Sequence, residues 1–300
     1  MNRGIDRRTI SKTLALGATC LVIPPASTAR KRKLKIGHTS ITWGFKPENA
    51  EPGIVDSAKL GYHGYESLGE VLQAWEEKGG LGRILEENKM PLPSTYCTVM
   101  LTNPAQRKAE VEKITRFAKL ISKYGGRVAV IGPNGVKRPG FDFKSSKSDI
   151  IATLNEVGQA LGALGMAGAV HQHTRTSIET RDELYAIMDA VDTRYIGFGP
   201  DVAQLAAGGA DPVKVVKDLL PLIRSVHLKD FLGGPHWAGY CPLGQGKVNI
   251  PAVMDLLEKS KKLEYVMVEL DPSPNPPLSP FECARTSRDY LKKLGYTFRA

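Results

Sequence analysis

Four residues of types that could do chemistry stand in the second half of the chain: His171, Asp201, His227 and Glu269. Each follows a short apolar, β-prone run: 167–171 (AGAVH), 195–199 (YIGFG) with Asp201 two residues on, 223–228 (IRSVHL) and 264–269 (EYVMVE). Two imidazoles and two carboxylates converging on one point would make a mixed nitrogen–oxygen site for one divalent ion. That donor set suits manganese, cobalt, iron or zinc better than calcium or magnesium. Each residue also has a plain structural reading: Asp201 could cap the helix after its strand, His227 could be a satisfied core histidine, and Glu269 could pair with a lysine. Four in register on successive strands favour the site. Two neighbours extend it. Lys229 could stabilise an enediolate, donate to a leaving oxygen, or simply bridge to Glu66 or Asp230. His173, two residues past His171, could act as acid or base or orient a ligand. Glu269 could be ligand and base together.

The elements that must position these residues repeat along the chain. Further strand runs occur at 34–38 (LKIGH), 62–66 (YHGYE), 92–97 (LPSTYC) and 127–131 (RVAVI). Helical patterns lie between, at 104–123, 147–164, 180–190, 211–220 and 251–260, with Pro212 and Pro251 at helix starts, where the missing N–H costs nothing. Gly125 and Gly165 stand just past helix ends. Eight strands alternating with helices predict α/β architecture, a single (β/α)8 TIM barrel over 34–300, with chemistry at the carboxyl ends of the strands. An open doubly wound sheet would want a glycine-rich phosphate loop after its first strand; Gly37-His38-Thr39-Ser40 is not one. The proline-rich stretch 271–280 reads as an ordered loop on the active face. Trp43 and Trp237 are candidate platforms for a sugar ring, or plain packing. His236, Glu66 and Gln204 are candidates for substrate contact.

Charge excludes one class. The chain of 300 residues carries a formal +10, but Arg3, Arg7, Arg8, Lys12, Arg30, Lys31, Arg32 and Lys33 against Asp6 put +7 in residues 1–33, leaving +3 for the rest. No nucleic-acid footprint follows from that. Residues 1–29 read as an export signal: a twin-arginine pattern at Arg7-Arg8-Thr9-Ile10-Ser11-Lys12, a mildly apolar run from Thr13 to Pro25, and small residues at Ser27-Thr28-Ala29. The alternative is a basic tail. No apolar run approaches the ~20 residues of a membrane span. Export implies a periplasmic or secreted location. Cys20 is a poor fit to a lipoprotein site. Cys97, Cys241 and Cys283 would then remain, and their spacing favours three buried thiols over a disulfide framework.

These motifs carry a resemblance. From about Lys35 to Tyr296 the chain resembles the xylose-isomerase-like barrel family of sugar isomerases and epimerases, and within it the inosose dehydratase branch. The likeness rests on Ile36–Trp43 (IGHTSITW), Gly61–Glu66 (GYHGYE), Ala169–Thr180 (AVHQHTRTSIET), Ser225–Asp230 (SVHLKD), Pro242–Asn249 (PLGQGKVN), Val268–Pro277 (VELDPSPNPP) and Arg285–Leu291 (RTSRDYL). It implies a metal held by Asp201, His227 and Glu269. Two departures stand out. His171 replaces the glutamate that family epimerases carry on the fifth strand, which puts their two-base mechanism in doubt. Gln204 stands where the family often has histidine, and an amide carries no proton at neutral pH, which puts the dehydratase substrate in doubt.

The leading expectation is an exported, metal-dependent lyase that eliminates water from a keto-sugar or keto-cyclitol through a metal-stabilised enediolate. An isomerase or epimerase at the same site is the alternative, separated by product mass. A periplasmic sugar-binding protein without turnover is a third, and a nuclease for abasic DNA a fourth that needs more metal ligands than the six histidines supply. No arginine cluster or glycine-rich nest marks a phosphate on the substrate.

Overall fold

The computed structural model describes residues 32–300. The expected export signal, the twin arginines and Cys20 lie outside the described residues.

Short runs of β-branched and aliphatic residues form eight parallel barrel strands: β1 Lys35–Thr39, β2 Tyr65–Leu68, β3 Ser94–Val99, β4 Val128–Pro133, β5 Ala167–Val170, β6 Ile196–Phe198, β7 His227–Leu228 and, after a small hairpin of β8 Asp230–Phe231 with β9 Tyr240–Cys241, β10 Tyr265–Val268. Their order is β6-β5-β4-β3-β2-β1-β10-β7. Parallel bridges Phe198↔Ile223 and Asp201↔His227 join the two ends, so the sheet closes on itself. All eight expected strands are present; the first four are shifted by one to three residues toward the carboxyl end, and the fifth, sixth and eighth lie within their expected runs. The seventh is the exception: only its last two residues pair as a strand, while Arg224 N–H and His227 N–H reach across to the Phe198 and Pro200 carbonyls.

The helices are α1 Ala50–Lys59, α2 Gly69–Glu76, α3 Gly82–Glu87, α4 Arg107–Lys123, α5 Phe143–Ala163, α6 Arg181–Met188, α7 Val202–Ala207, α8 Pro212–Leu219, α9 Ile250–Leu257 and α10 Pro280–Lys293. Each lays an apolar face on the outside of the strands, as Ile114, Phe117, Ala118 and Ile121 of α4 do. Local chemistry sets the starts. Asp142, Asp211 and Asn249 cap α5, α8 and α9, and Thr180 and Ser279 each close a capping box with the glutamate three residues on. The expected proline starts hold at α8 and α9. Five helices went unread in the sequence, although Ser279-Pro280 with Glu282 is a legible helix start for α10.

Asp230, next to the active face, is an anchor. Its carboxylate accepts from the backbone N–H groups of Phe231, Gly244, Gly246 and Val248, which fixes the loop after the hairpin. A Cβ on Gly246 would run into that carboxylate, so glycine is required there. Cys97, Cys241 and Cys283 are free and buried, as the spacing suggested. No helix among the described residues is long and apolar enough to cross a membrane.

Candidate active site

The four residues do converge. His171, Asp201 and His227 bring one donor atom each within 4.8 Å of one another. Glu269 joins them, with its Oε2 2.9 Å from His227 Nδ1. All four are buried.

Hydrogen bonds to the far sides of these groups decide what they offer. His171 Nδ1 lies 3.1 Å from the Gly199 carbonyl, an acceptor only, so Nδ1 carries the proton and Nε2 keeps its lone pair. Nε2 faces Asp201 Oδ2 at 4.0 Å. His227 Nε2 meets Glu66 Oε1 at 2.6 Å, and Glu66 Oε2 accepts from Ser94 Oγ at 2.5 Å. A carboxylate behind an imidazole is the usual support for a metal-ligating histidine; it leaves Nδ1 free to face the site. Asp201 fulfils both of its readings. Oδ1 caps α7 by accepting from the Ala203 and Gln204 N–H groups, while Oδ2 points into the cluster.

Asp201 Oδ2 and His227 Nδ1 are buried without any hydrogen-bond partner. Such orphans are costly unless something satisfies them. Glu269 Oε2 and the Lys229 ammonium come within 2.9 and 3.0 Å of these two atoms, but at angles that make no hydrogen bond. His171, Asp201 and His227 offer three donors close enough to gather around one small divalent cation, and Glu269, beside His227, could complete the set.

Asp201, Glu269 and Asp271 surround one permanent cation, Lys229, while Glu66 faces His227. Burial opposes charge on His227, but Glu269 and Glu66 outweigh it and hold the imidazole well above the usual histidine range. Burial, with His227 alongside, drives His171 the other way, well below that range. Glu269, despite its burial, is held well below the usual carboxylate range by His227 and Lys229. Burial raises Asp201, against the pull of Lys229.

Lys229 departs from its expected pairings. Neither Glu66 nor Asp230 is its partner. It donates to Glu269 Oε1 at 2.7 Å and Asp271 Oδ2 at 2.8 Å, fully buried. These carboxylates raise its pKa despite burial, so it stays an ammonium. His173 is likewise committed. Its Nδ1 faces the Thr174 carbonyl at 2.8 Å, and its Nε2 is 2.7 Å from the Gln204 amide nitrogen. That makes it a neutral, oriented ring. Gln204 Oε1 is occupied by the backbone and hydroxyl of Thr174.

A cavity of about 490 Å³ opens over the cluster, lined among others by Glu66, Tyr96, His171, His173, Glu269 and Asp271. Four expected contacts do not line it; Gln204 lines an adjoining cavity instead. Trp43 gives its indole N–H to Asp56 and packs edge-on against His38. Trp237 is buried in a small apolar cluster with Tyr240 and Leu270. His236 precedes the short turn Trp237–Gly239 and makes no side-chain capping bond to it. Two residues that sequence reasoning passed over do line it: Asp271 and Phe45. Asp271 was findable, since two residues past Glu269 is the same side of an extended chain. Phe45 sits in a loop whose direction no periodicity reveals.

A closed parallel barrel with an imidazole–carboxylate cluster at its strand ends defines the class: a (β/α)8 protein with its site where such barrels carry chemistry. Residues 54–294 match the family described as xylose isomerase-like TIM barrel, and the chain belongs to that family. Among curated relatives, the inosose dehydratase of Clostridium botulinum (strain Alaska E43 / Type E3) is 24% identical over 294 residues, spanning 87% of this chain and 97% of its own. Among solved structures, the Escherichia coli 3-keto-D-glucoside 4-epimerase YcjR superposes with a TM-score of 0.69 at 18% identity, covering 88% of this chain and 99% of that one. The zinc-bound IolI protein gives 0.72 at 16%, covering 87% and 98%.

Proposed function

We propose that the chain is an exported, metal-dependent lyase that removes water beside the ketone of a keto-sugar or keto-cyclitol. One observation carries the proposal: His171, Asp201 and His227 bring one donor atom each within 4.8 Å of one another in a buried cluster, with Glu269 beside His227. Curated relatives named as inosose dehydratases, matched over nearly their full length, support the reaction class. The twin-arginine pattern supports export.

Loss of water needs an acidified α-proton, a base to take it and a donor for the departing hydroxyl. A bound divalent ion would supply a Lewis acid for the carbonyl oxygen. Glu269 is ionised and opens on the cavity, so it can take the α-proton; the cations beside it lower its basicity, which the acidified substrate must offset. Lys229 is too firmly protonated to be the proton donor, and its part is to hold Glu269 and Asp271 in place. Tyr96 lines the cavity with its ring edge-on to His171, and Gly132 leaves room for its phenol, where a Cβ would collide; burial keeps that phenol protonated, so its part is to hydrogen-bond the leaving oxygen. His173 and Gln204 orient one another beside the cavity.

Epimerisation would pass through the same enolate but needs a proton returned from the other face. His171 stands at the end of β5, yet burial keeps it from carrying the extra proton that such a return needs. Reaction of the manganese-loaded protein with a 3-keto-sugar or an inosose in deuterated water separates the two. A product lighter by one water, with little deuterium in recovered substrate, is expected. A product of unchanged mass carrying deuterium beside the carbonyl would replace the lyase reading with the epimerase.

A further inference from the structure

The cavity over the cluster is not the end of the mouth. A second cavity of about 430 Å³ adjoins it and shares three of its walls: Phe45, His173 and Asp271. Either volume alone falls within the roughly 300–1,000 Å³ of sites that enclose a small molecule. A single pyranose or cyclitol ring over the catalytic cluster leaves the second cavity unfilled.

The second cavity has the character of a carbohydrate subsite. Its apolar wall is Ala207, Phe231, Ala238 and Pro272, and its polar groups are those of Thr174, Arg175, Glu179, Gln204 and Tyr240. Arg175 forms no ion pair among the described residues, although Glu179 accepts from its backbone N–H. Phe45 is 60% exposed, and with Leu232 it is one of the two large apolar side chains left in the open among the described residues. An exposed aromatic ring on the border of two cavities suits the C–H face of a sugar. Two lining residues, Arg175 (φ 64°) and Ala238 (φ 56°), hold the left-handed region without being glycine. Strain of this kind persists where the surroundings enforce it and gathers at ligand sites.

We propose that the substrate is a glycoside rather than a free monosaccharide or cyclitol. Its keto ring occupies the catalytic cavity, and a second sugar ring joined to it lies in the adjoining cavity, with the linkage crossing between Phe45, His173 and Asp271. This rests on the reading of the first cavity as a sugar site.

The test separates binding from turnover. Calorimetry on the manganese-loaded full chain compares glucose with trehalose and cellobiose, which lack the ketone and do not react. Kinetics compare 3-ketoglucose with a 3-ketoglucosyl disaccharide. At least one disaccharide is expected to bind tenfold or more tightly than glucose, and the keto-disaccharide to exceed the keto-monosaccharide tenfold or more in kcat/KM. Ala207→Trp, which fills the second cavity, should bring both ratios to near one. Phe45→Ala, on an exposed side chain whose loss leaves the core intact, should cut them severalfold. Equal binding of one-ring and two-ring sugars, or a preference that survives Ala207→Trp in a folded protein, would overturn the proposal. A binding preference without turnover of any keto-sugar would uphold the subsite and refute the lyase.

Discussion

The two halves of the barrel mouth begin with similar residues and end differently. On β1 and β2 stand His38 and Glu66; on β7 and β10 stand His227 and, at the strand end, Glu269. Both histidines are buried. His38 bonds its own strand's Thr39 carbonyl and is enclosed by the rings of Trp43 and Tyr62, with no carboxylate bonded to it. Burial outweighs the Thr39 hydrogen bond and the pull of Glu269 and lowers its pKa to about 4. His227 lies between Glu66 and Glu269, which raise its pKa against burial; a cation at Nδ1 would take the place of its proton. Glu66, though on the first half, spends itself on the second. The chemistry of a strand-end residue is therefore set by what faces it across the barrel, which its own strand does not record.

The largest effect that would sharpen this contrast is at Glu269. Glu269→Gln removes a ligand charge and the base at once, and should lower turnover by at least 10³-fold and weaken metal binding, with the circular dichroism spectrum of the native barrel retained. Turnover within tenfold of the native protein would mean that the reacting centre lies elsewhere. Next is Glu66→Gln, which touches the site only through His227. Outer partners of this kind are worth about 10–100-fold in metal affinity. A change of that size, measured by competition with a chelator, is expected; none would make Glu66 an ordinary buried acid.

The smallest effect belongs to the other half. His38 takes up a proton in the unfolded chain near pH 6.5 but in the folded one only near 4. Its depressed pKa therefore contributes stability that is complete above about pH 6.5 and is lost as pH falls toward 4. The span is up to about 3 kcal/mol. His38→Asn should flatten that part of the stability–pH curve from urea titrations and leave turnover within a few-fold. A steep loss of turnover would place His38 in the reaction and erase the contrast between the halves.

Much of this was legible in the sequence. The strand runs and the positions of His171, Asp201, His227 and Glu269 follow from apolar patterning that breaks into polar groups at each strand end. What escaped were relations between strands. Lys229 lies two residues from His227, yet its partners Asp201, Glu269 and Asp271 come from flanking strand ends. Trp43 and Trp237 are the right residues for a sugar platform, but an indole N–H bound to Asp56 and a buried packing role remove them. Phe45, in a loop, borders both cavities instead.

The central claim is that the β5, β6, β7 and β10 strand ends form one cation site. It is tested most directly by titrating chelator-treated protein with manganese or cobalt, followed by calorimetry. Saturable binding of about one ion per chain is predicted, weakened at least 10²-fold by Asp201→Asn and by His227→Ala in proteins that remain folded. No saturable binding, or equal binding in both variants, would contradict the account.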